Sequence, residues 1–199
     1  EGEGLTTQFD MNAVTEVGLL KLDVLGLRTL SVLKHALEFI RESRGVDFDL
    51  DSMPYDDPDT YEMLSRGDTA GVFQLESSGM RQVVMELKPD RLEDIIALVA
   101  LYRPGPMAQI PIFIAGKHGR RKVTYAHPSL EPILKDTYGV IVYQEQVMWI
   151  AQQLAGLSMA AAEKLLYAMR KKNVQAMESS KEVFLQGAAE RGVSKKVAE

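Results

Sequence analysis

The chain has 199 residues, 46% of them apolar, no cysteine and a formal net charge of −5. Such a length and apolar content support a buried core in one or two domains, and the missing cysteines exclude disulfides and thiolate metal sites. His35, His118 and His127 lack zinc-ligand spacing, and neither a membrane-length apolar run nor a signal-peptide pattern is present, so a cytoplasmic protein without a membrane partner is expected.

Residues 19–27 read Leu-Leu-Lys-Leu-Asp-Val-Leu-Gly-Leu, a short apolar run between Gly18 and Gly26 that predicts a buried strand. Strand alternation puts Lys21 and Asp23 on one side, about 7 Å apart along the backbone. Leu20, Leu22 and Val24 would pack the other side. A carboxylate in such a run is costly to bury unless it is paired or holds a metal. The bland alternative is a Lys–Asp pair on the exposed face of an edge strand.

Arg28–Arg44 follows as a helix, with Leu30, Leu33, Leu37 and Ile40 at helical spacing and Gly45 at its end. Residues 46–58 are an Asp- and Pro-rich loop, and its alternating carboxylates fail the calcium-loop pattern at Ser52 and Pro58. Asp59–Arg66 reads as a short helix, Gly71–Leu75 as a short strand, and Glu76–Leu87 and Pro89–Leu101 as helices, the last expected to bury Leu92, Ile95, Ile96, Val99 and Ala100. Pro104-Gly-Pro106 must stop the last of these. From Met107 to Pro128 a short helix and loop carry Lys117-His-Gly-Arg-Arg-Lys122. Val140–Tyr143 is β-branched enough for a strand, although periodicity leaves it ambiguous. Helices are predicted over Gln144–Leu154, from the Ser158 cap through Lys172, and over Val174–Arg191, with Trp149 and the methionines in the core.

Five segments carry a resemblance. They are Gly18-Leu-Leu-Lys-Leu-Asp-Val-Leu-Gly-Leu-Arg-Thr-Leu30, Gly71-Val-Phe-Gln-Leu-Glu-Ser77 and Glu93-Asp-Ile-Ile-Ala-Leu-Val-Ala-Leu-Tyr-Arg-Pro-Gly-Pro106, then Tyr138-Gly-Val-Ile-Val-Tyr-Gln-Glu-Gln-Val-Met148 and Ala168-Met-Arg-Lys-Lys-Asn173. In this order they resemble the alpha subunits of bacterial DNA polymerase III, the C-family replicative polymerases, over roughly residues 14–199. The resemblance implies an α+β, predominantly α-helical fold: short palm-derived strands, then a helical fingers domain. Residues 1–77 would be the end of the palm and residues 78–199 the fingers, truncated at the C-terminal end.

The resemblance further implies phosphoryl transfer by two metal ions held by three aspartates. Asp23 matches the third, as catalytic and metal-binding residue for Mg²⁺, and Lys21 the lysine on the same strand that meets the triphosphate. The other two aspartates would lie upstream, so the chain reads as an inactive fragment of a larger enzyme. Partners implied for that parent are primer–template DNA, deoxynucleoside triphosphates, the sliding clamp and other replisome subunits.

In the fingers, Arg170, Lys171 and Lys172 are expected on the nucleotide, with Tyr167 stacking on a base. Many family members carry two arginines where this chain has Leu166 and Tyr167. Cations at a helix C-terminus also complement its dipole without any ligand. Arg103, Lys117, Arg120, Arg121 and Lys122 are expected on DNA; a solvated loop is the plain alternative for 117–122. Glu145 is expected to serve the N-terminus of its own helix, and Gln74–Glu76 a corner between palm and fingers. Two other functions fit the residues: a non-catalytic nucleic-acid-binding module, and a helical interaction domain, which the acidic total favours.

Overall fold

The computed structural model describes residues 4–171 and 174–199. The chain divides into two units, meeting in sequence at Met53 and Pro54.

In the first unit, Asp10 caps helix α1 (Met11–Glu16), its carboxylate accepting from the Asn12 and Ala13 amides at 2.8 and 3.0 Å. Helix α2 (Arg28–Arg44) has the predicted limits. Gly45, at φ 65°, ends it by donating to the Arg41 carbonyl at 2.9 Å, a left-handed stop that glycine adopts at no steric cost.

Residues 20–27, between α1 and α2, have no regular secondary structure. This overturns the predicted strand, and with it the α+β class: no strand occurs among the described residues. A strand exists only where a neighbour satisfies its amides and carbonyls, and the described part of this unit offers none. Leu20 and Val24 are accordingly 83% and 95% exposed rather than packed.

The second unit is helical. Helices α3 (Pro58–Ser65), α4 (Ser78–Leu87), α5 (Leu92–Leu101) and α6 (Ile110–Lys117) surround one core, in which Leu64, Val84, Leu87, Leu98, Leu101 and Phe113 are buried. Full burial of each such side chain is worth about 1.5–3 kcal/mol. Asp57 and Ser77 cap α3 and α4 through their side chains, and Pro58 opens α3, where a missing N–H costs nothing.

Helices α7 (Glu131–Leu134), α8 (Gln144–Ala155), α9 (Met159–Lys171), α10 (Val174–Glu190) and α11 (Lys195–Ala198) follow. Leu130, Leu134, Leu154, Ala155, Ala188 and Val193 form a second core there. Helices α8 and α10 approach closely at Gly187, where an added Cβ would stand 2.1 Å from the Ala155 carbonyl oxygen. Ser158 caps α9, its hydroxyl accepting from the Ala161 amide at 3.2 Å, whereas Ser194 makes no side-chain cap to α11.

The strand expected at 71–75 is also corrected, and the segment 140–143, which periodicity leaves open, forms no strand. Residues 71–75 are a succession of turns, with Gly71 at φ 76° and Gln74 at φ 65°, closed by Thr69 Oγ1 donating to the Leu75 carbonyl at 2.7 Å. Val140–Tyr143 pairs with no strand either, because the Val142 and Tyr143 amides donate to the Gln146 side chain instead. Trp149, expected in the core, is 47% exposed, and Met159, Met169 and Met177 are also on the surface.

Candidate nucleotide and nucleic-acid interface

In the first unit, Lys21 and Asp23 do share a side. The ammonium donates to Oδ1 at 2.8 Å and Oδ2 at 3.0 Å, and the Asp23 side chain is largely exposed. An exposed pair of this kind stabilises little, about 0–1 kcal/mol, so its geometry is open to other ligands. Asp23 supplies hard oxygens of the type Mg²⁺ prefers. Yet no cluster of three or more His, Cys, Asp or Glu occurs among the described residues. They therefore do not by themselves fit a two-metal centre.

In the second unit, α8 and α9 face each other across a groove of about 380 Å³. Gln144 and Met148 line it from α8; Glu163, Leu166, Tyr167 and Arg170 line it from α9. Tyr167 and Arg170 stand three residues apart, hence on one helix face. The Lys171 ammonium sits 5.8 Å from the centre of the Tyr167 ring, within cation–π range. An exposed aromatic ring, a guanidinium and an ammonium at the end of one helix can stack on a base and meet a phosphate. Lys172 lies outside the described residues.

The Lys117–Lys122 segment does not act as one patch. Arg120 and Lys122 are exposed at the turn after α6. Arg121 turns inward, Nη2 donating to the Tyr138 carbonyl at 3.2 Å, while its buried Nε finds no partner. Lys117 is only 7% exposed at its side chain and donates to Asp90 Oδ1 at 2.7 Å and Asp94 Oδ2 at 2.6 Å. Burial pulls the Lys117 ammonium's pKa down, but the hydrogen bonds to Asp90 and Asp94 outweigh it and hold the pKa above its ordinary value.

Asp94 is fully buried and is the hub of this network. The Tyr138 hydroxyl donates to its Oδ1 at 3.3 Å, and Arg91 Nε approaches the same atom at 3.4 Å. Arg91 Nη2 also donates to the Tyr138 hydroxyl at 3.0 Å and to the Asp136 carbonyl at 3.2 Å. Burial raises the Tyr138 pKa, with Asp94 adding to the effect. The Tyr138 ring meets Phe113 edge-on at 5.0 Å. Sequence reasoning missed this hub because it buried the face of Leu92, Ile95, Ile96, Val99 and Ala100, whereas Ile96 is 48% exposed and Ala97, Leu98 and Leu101 are the buried positions. Asp94 stands three, four and seven residues before Ala97, Leu98 and Leu101, on the buried stripe of α5.

Arg103 is exposed beyond the end of α5. It pairs with neither Glu93 nor Asp94; Asp94 is taken by Arg91 and Lys117. Instead Arg103 lines an open, mainly apolar groove of about 560 Å³ together with Phe73, Gln74 and Val99. The segments 71–77 and 93–106, distant in sequence, thus meet at one surface. Glu145 lies in the first turn of α8, but the backbone amides leading into that helix are satisfied by Gln146.

The second unit is thus a helical domain whose α8–α9 groove carries an exposed aromatic ring beside basic side chains. Residues 29–192 match the family model described as the bacterial DNA polymerase III alpha subunit finger domain, and the chain belongs to that family. It is 55% identical over 197 residues to the DNA polymerase III subunit alpha of Thermus aquaticus, covering 96% of this chain and 16% of that protein. Against the subunit alpha of Staphylococcus aureus (strain COL) it is 49% identical over 189 residues, covering 95% of this chain and 18% of the relative. Against that of Staphylococcus epidermidis it is 47% identical over 195 residues, covering 98% and 18%. The chain therefore spans less than a fifth of the length of these relatives. No described helix is long and apolar enough to cross a membrane.

Proposed function

We propose that this chain works as the fingers, with an adjoining piece of the palm, of a longer cytoplasmic polymerase that extends a primer on a DNA template. The observation that carries the reading is the likeness to polymerase alpha subunits along at least 95% of the chain. In this reading Tyr167, Arg170 and Lys171, with Lys172 beyond them, hold the incoming deoxynucleoside triphosphate. The bound nucleotide neutralises the cations at the end of α9, and the ring of Tyr167 fixes the base by stacking. Positioning and charge stabilisation of this type account for most of the rate in phosphoryl transfer.

Arg103, Arg120 and Lys122 meet the DNA backbone, with Arg121 bracing the turn that carries Arg120 and Lys122. Lys117 is left out of that surface, because its ammonium is engaged by Asp90 and Asp94. Asp23 acts as one carboxylate of a Mg²⁺ site completed by residues outside this chain, and Lys21 as a contact to the triphosphate. The isolated chain is inactive on this account, and sliding-clamp and replisome contacts belong to the longer protein.

The test is single-turnover primer extension by the longer polymerase carrying Asp23→Asn, with primer–template affinity measured alongside. Extension should fall by several orders of magnitude while DNA affinity is kept. Near-normal extension would remove Asp23 from the chemistry.

A further inference from the structure

Gln146 is 2% exposed, and all four hydrogen-bonding positions of its amide, two lone pairs and two N–H groups, are used within the protein. Its Oε1 accepts from the Val142 amide at 2.7 Å and the Tyr143 amide at 2.9 Å. Its Nε2 donates to the Ile133 carbonyl at 3.1 Å and to Thr137 Oγ1 at 2.9 Å. Thr137 is itself buried, and its hydroxyl donates to the Val140 carbonyl at 2.6 Å. One side chain thus replaces the strand partner that residues 140–143 lack and ties the first turn of α8 to α7.

The connection it fixes is otherwise unfavourable. Tyr138 and Gly139 both have positive φ, 52° and 81°, and no neighbouring strand holds the extended residues after them. Val140, Val142 and Tyr143 pack on the first core, whereas Ile133 and Leu134 belong to the second. Gln146 therefore stands at the joint between the two cores. Two residues before it is Gln144 and two after it is Met148, the side chains α8 contributes to the groove facing Tyr167 and Arg170.

We infer that Gln146 is a positioning residue for the nucleotide groove: it sets where α8 begins, and so where Gln144 and Met148 stand opposite Tyr167 and Arg170. The inference rests on the proposed nucleotide role of that groove. No other residue type supplies two donors and an acceptor from one planar group of this size. A carboxylate would keep the two accepted bonds and lose both donations, and a thioether would lose all four.

The experiment measures nucleotide KM, kcat, primer–template Kd and thermal midpoint in the longer polymerase for Gln146→Met, Thr137→Val, Tyr167→Ala, Arg170→Ala and the core control Leu87→Ala. Gln146→Met should raise the nucleotide KM by about tenfold to a hundredfold, since misplacing a binding group by about 1 Å has effects of that size. Primer–template Kd should stay within about twofold, because the DNA backbone contacts lie elsewhere. Leu87→Ala should lower the midpoint without moving KM, which separates positioning from stability. An unchanged KM for folded Gln146→Met, with Arg170→Ala or Tyr167→Ala raising KM, overturns the inference alone. Unchanged KM in Tyr167→Ala and Arg170→Ala overturns the groove reading, and the inference falls with it. Where Gln146→Met does not fold, Thr137→Val decides: it removes the acceptor for Gln146 Nε2 and the donor to the Val140 carbonyl, and KM should still rise several-fold; an unchanged KM there overturns the inference.

Discussion

Replacing Lys117 by methionine removes one ammonium and little volume, and it isolates the buried half of the Asp94 network. Asp94 has no solvent exposure, and the Lys117 ammonium at 2.6 Å is its closest partner. Arg91 Nε, the Tyr138 hydroxyl and the Asp90 amide remain, at 3.4, 3.3 and 3.4 Å, too long to replace it. Removing one partner of a buried pair typically costs 3–5 kcal/mol, and the surviving contacts put Lys117→Met near the lower end, about 3 kcal/mol. The Asp90 arm adds little, since that carboxylate is 75% exposed. In a unit of this size, about 3 kcal/mol lowers the thermal midpoint by about 6–12 °C.

The assay is thermal and denaturant unfolding of the wild type, Lys117→Met, Asp94→Asn and the double variant. Asp94→Asn removes the charge that Lys117 balances, so the double variant should cost less than the sum of the singles, with a coupling of about 1–3 kcal/mol. In DNA titrations Lys117→Met should leave the salt dependence of binding unchanged, because its ammonium faces carboxylates and not solvent. A loss below about 0.5 kcal/mol, as at an ordinary surface site, would refute the reasoning. So would strict additivity in the cycle.

The same network predicts a plateau against pH. The hydrogen bond from Lys117, ahead of every other influence, lowers the Asp90 pKa below 3.8, so that contribution is present above pH 3.8 and fades as the pH falls. The Lys117 pKa lies above 10.5, so its contribution is present below pH 10.5 and is lost as the pH rises through the folded value. The midpoint difference between wild type and Lys117→Met should be flat across neutral pH and narrow at strongly alkaline pH; a difference that widens there contradicts the assignment. Arg120→Ala and Lys122→Ala should each weaken DNA binding by the polymerase and lower the slope of log affinity against log salt by about one, with no change in nucleotide KM. Unchanged slopes for both would favour a helical interaction domain over a DNA contact at this turn.

Much of the helical framework is legible in the sequence, because local signals decide it. The limits of α2 follow from leucine spacing and Gly45, and the end of α5 from Pro104-Gly-Pro106. The strands fail for a physical reason that no window of nine residues contains. A strand is a pairing, and the apolar run around Asp23, the turns at 71–75 and the segment 140–143 lack a partner among the described residues. In the last case the partner is a single amide three to four residues ahead, which periodicity cannot register. The placement of the candidate residues is legible in part. Tyr167 and Arg170 share a groove as their spacing on α9 allows, but the charge run 117–122 divides, because Lys117 falls on the inner side of α6 and Arg120 and Lys122 fall beyond its end.

That division also explains how an acidic chain can present basic surface to a polyanion. Charges that pair inside the protein cancel locally and say nothing to a ligand. Lys117 with Asp90 and Asp94, and Arg91 with Asp94, withdraw in this way. No ion pair takes up Arg103, Arg120, Lys122, Arg170 or Lys171 among the described residues, and all five are exposed. A phosphate within a Debye length, about 8 Å at physiological salt, responds to those cations and only weakly to acids further away. The net charge of −5 is therefore a sum in which paired acids and bases cancel, whereas the cations after α5, after α6 and at the end of α9 stand outside any ion pair among the described residues.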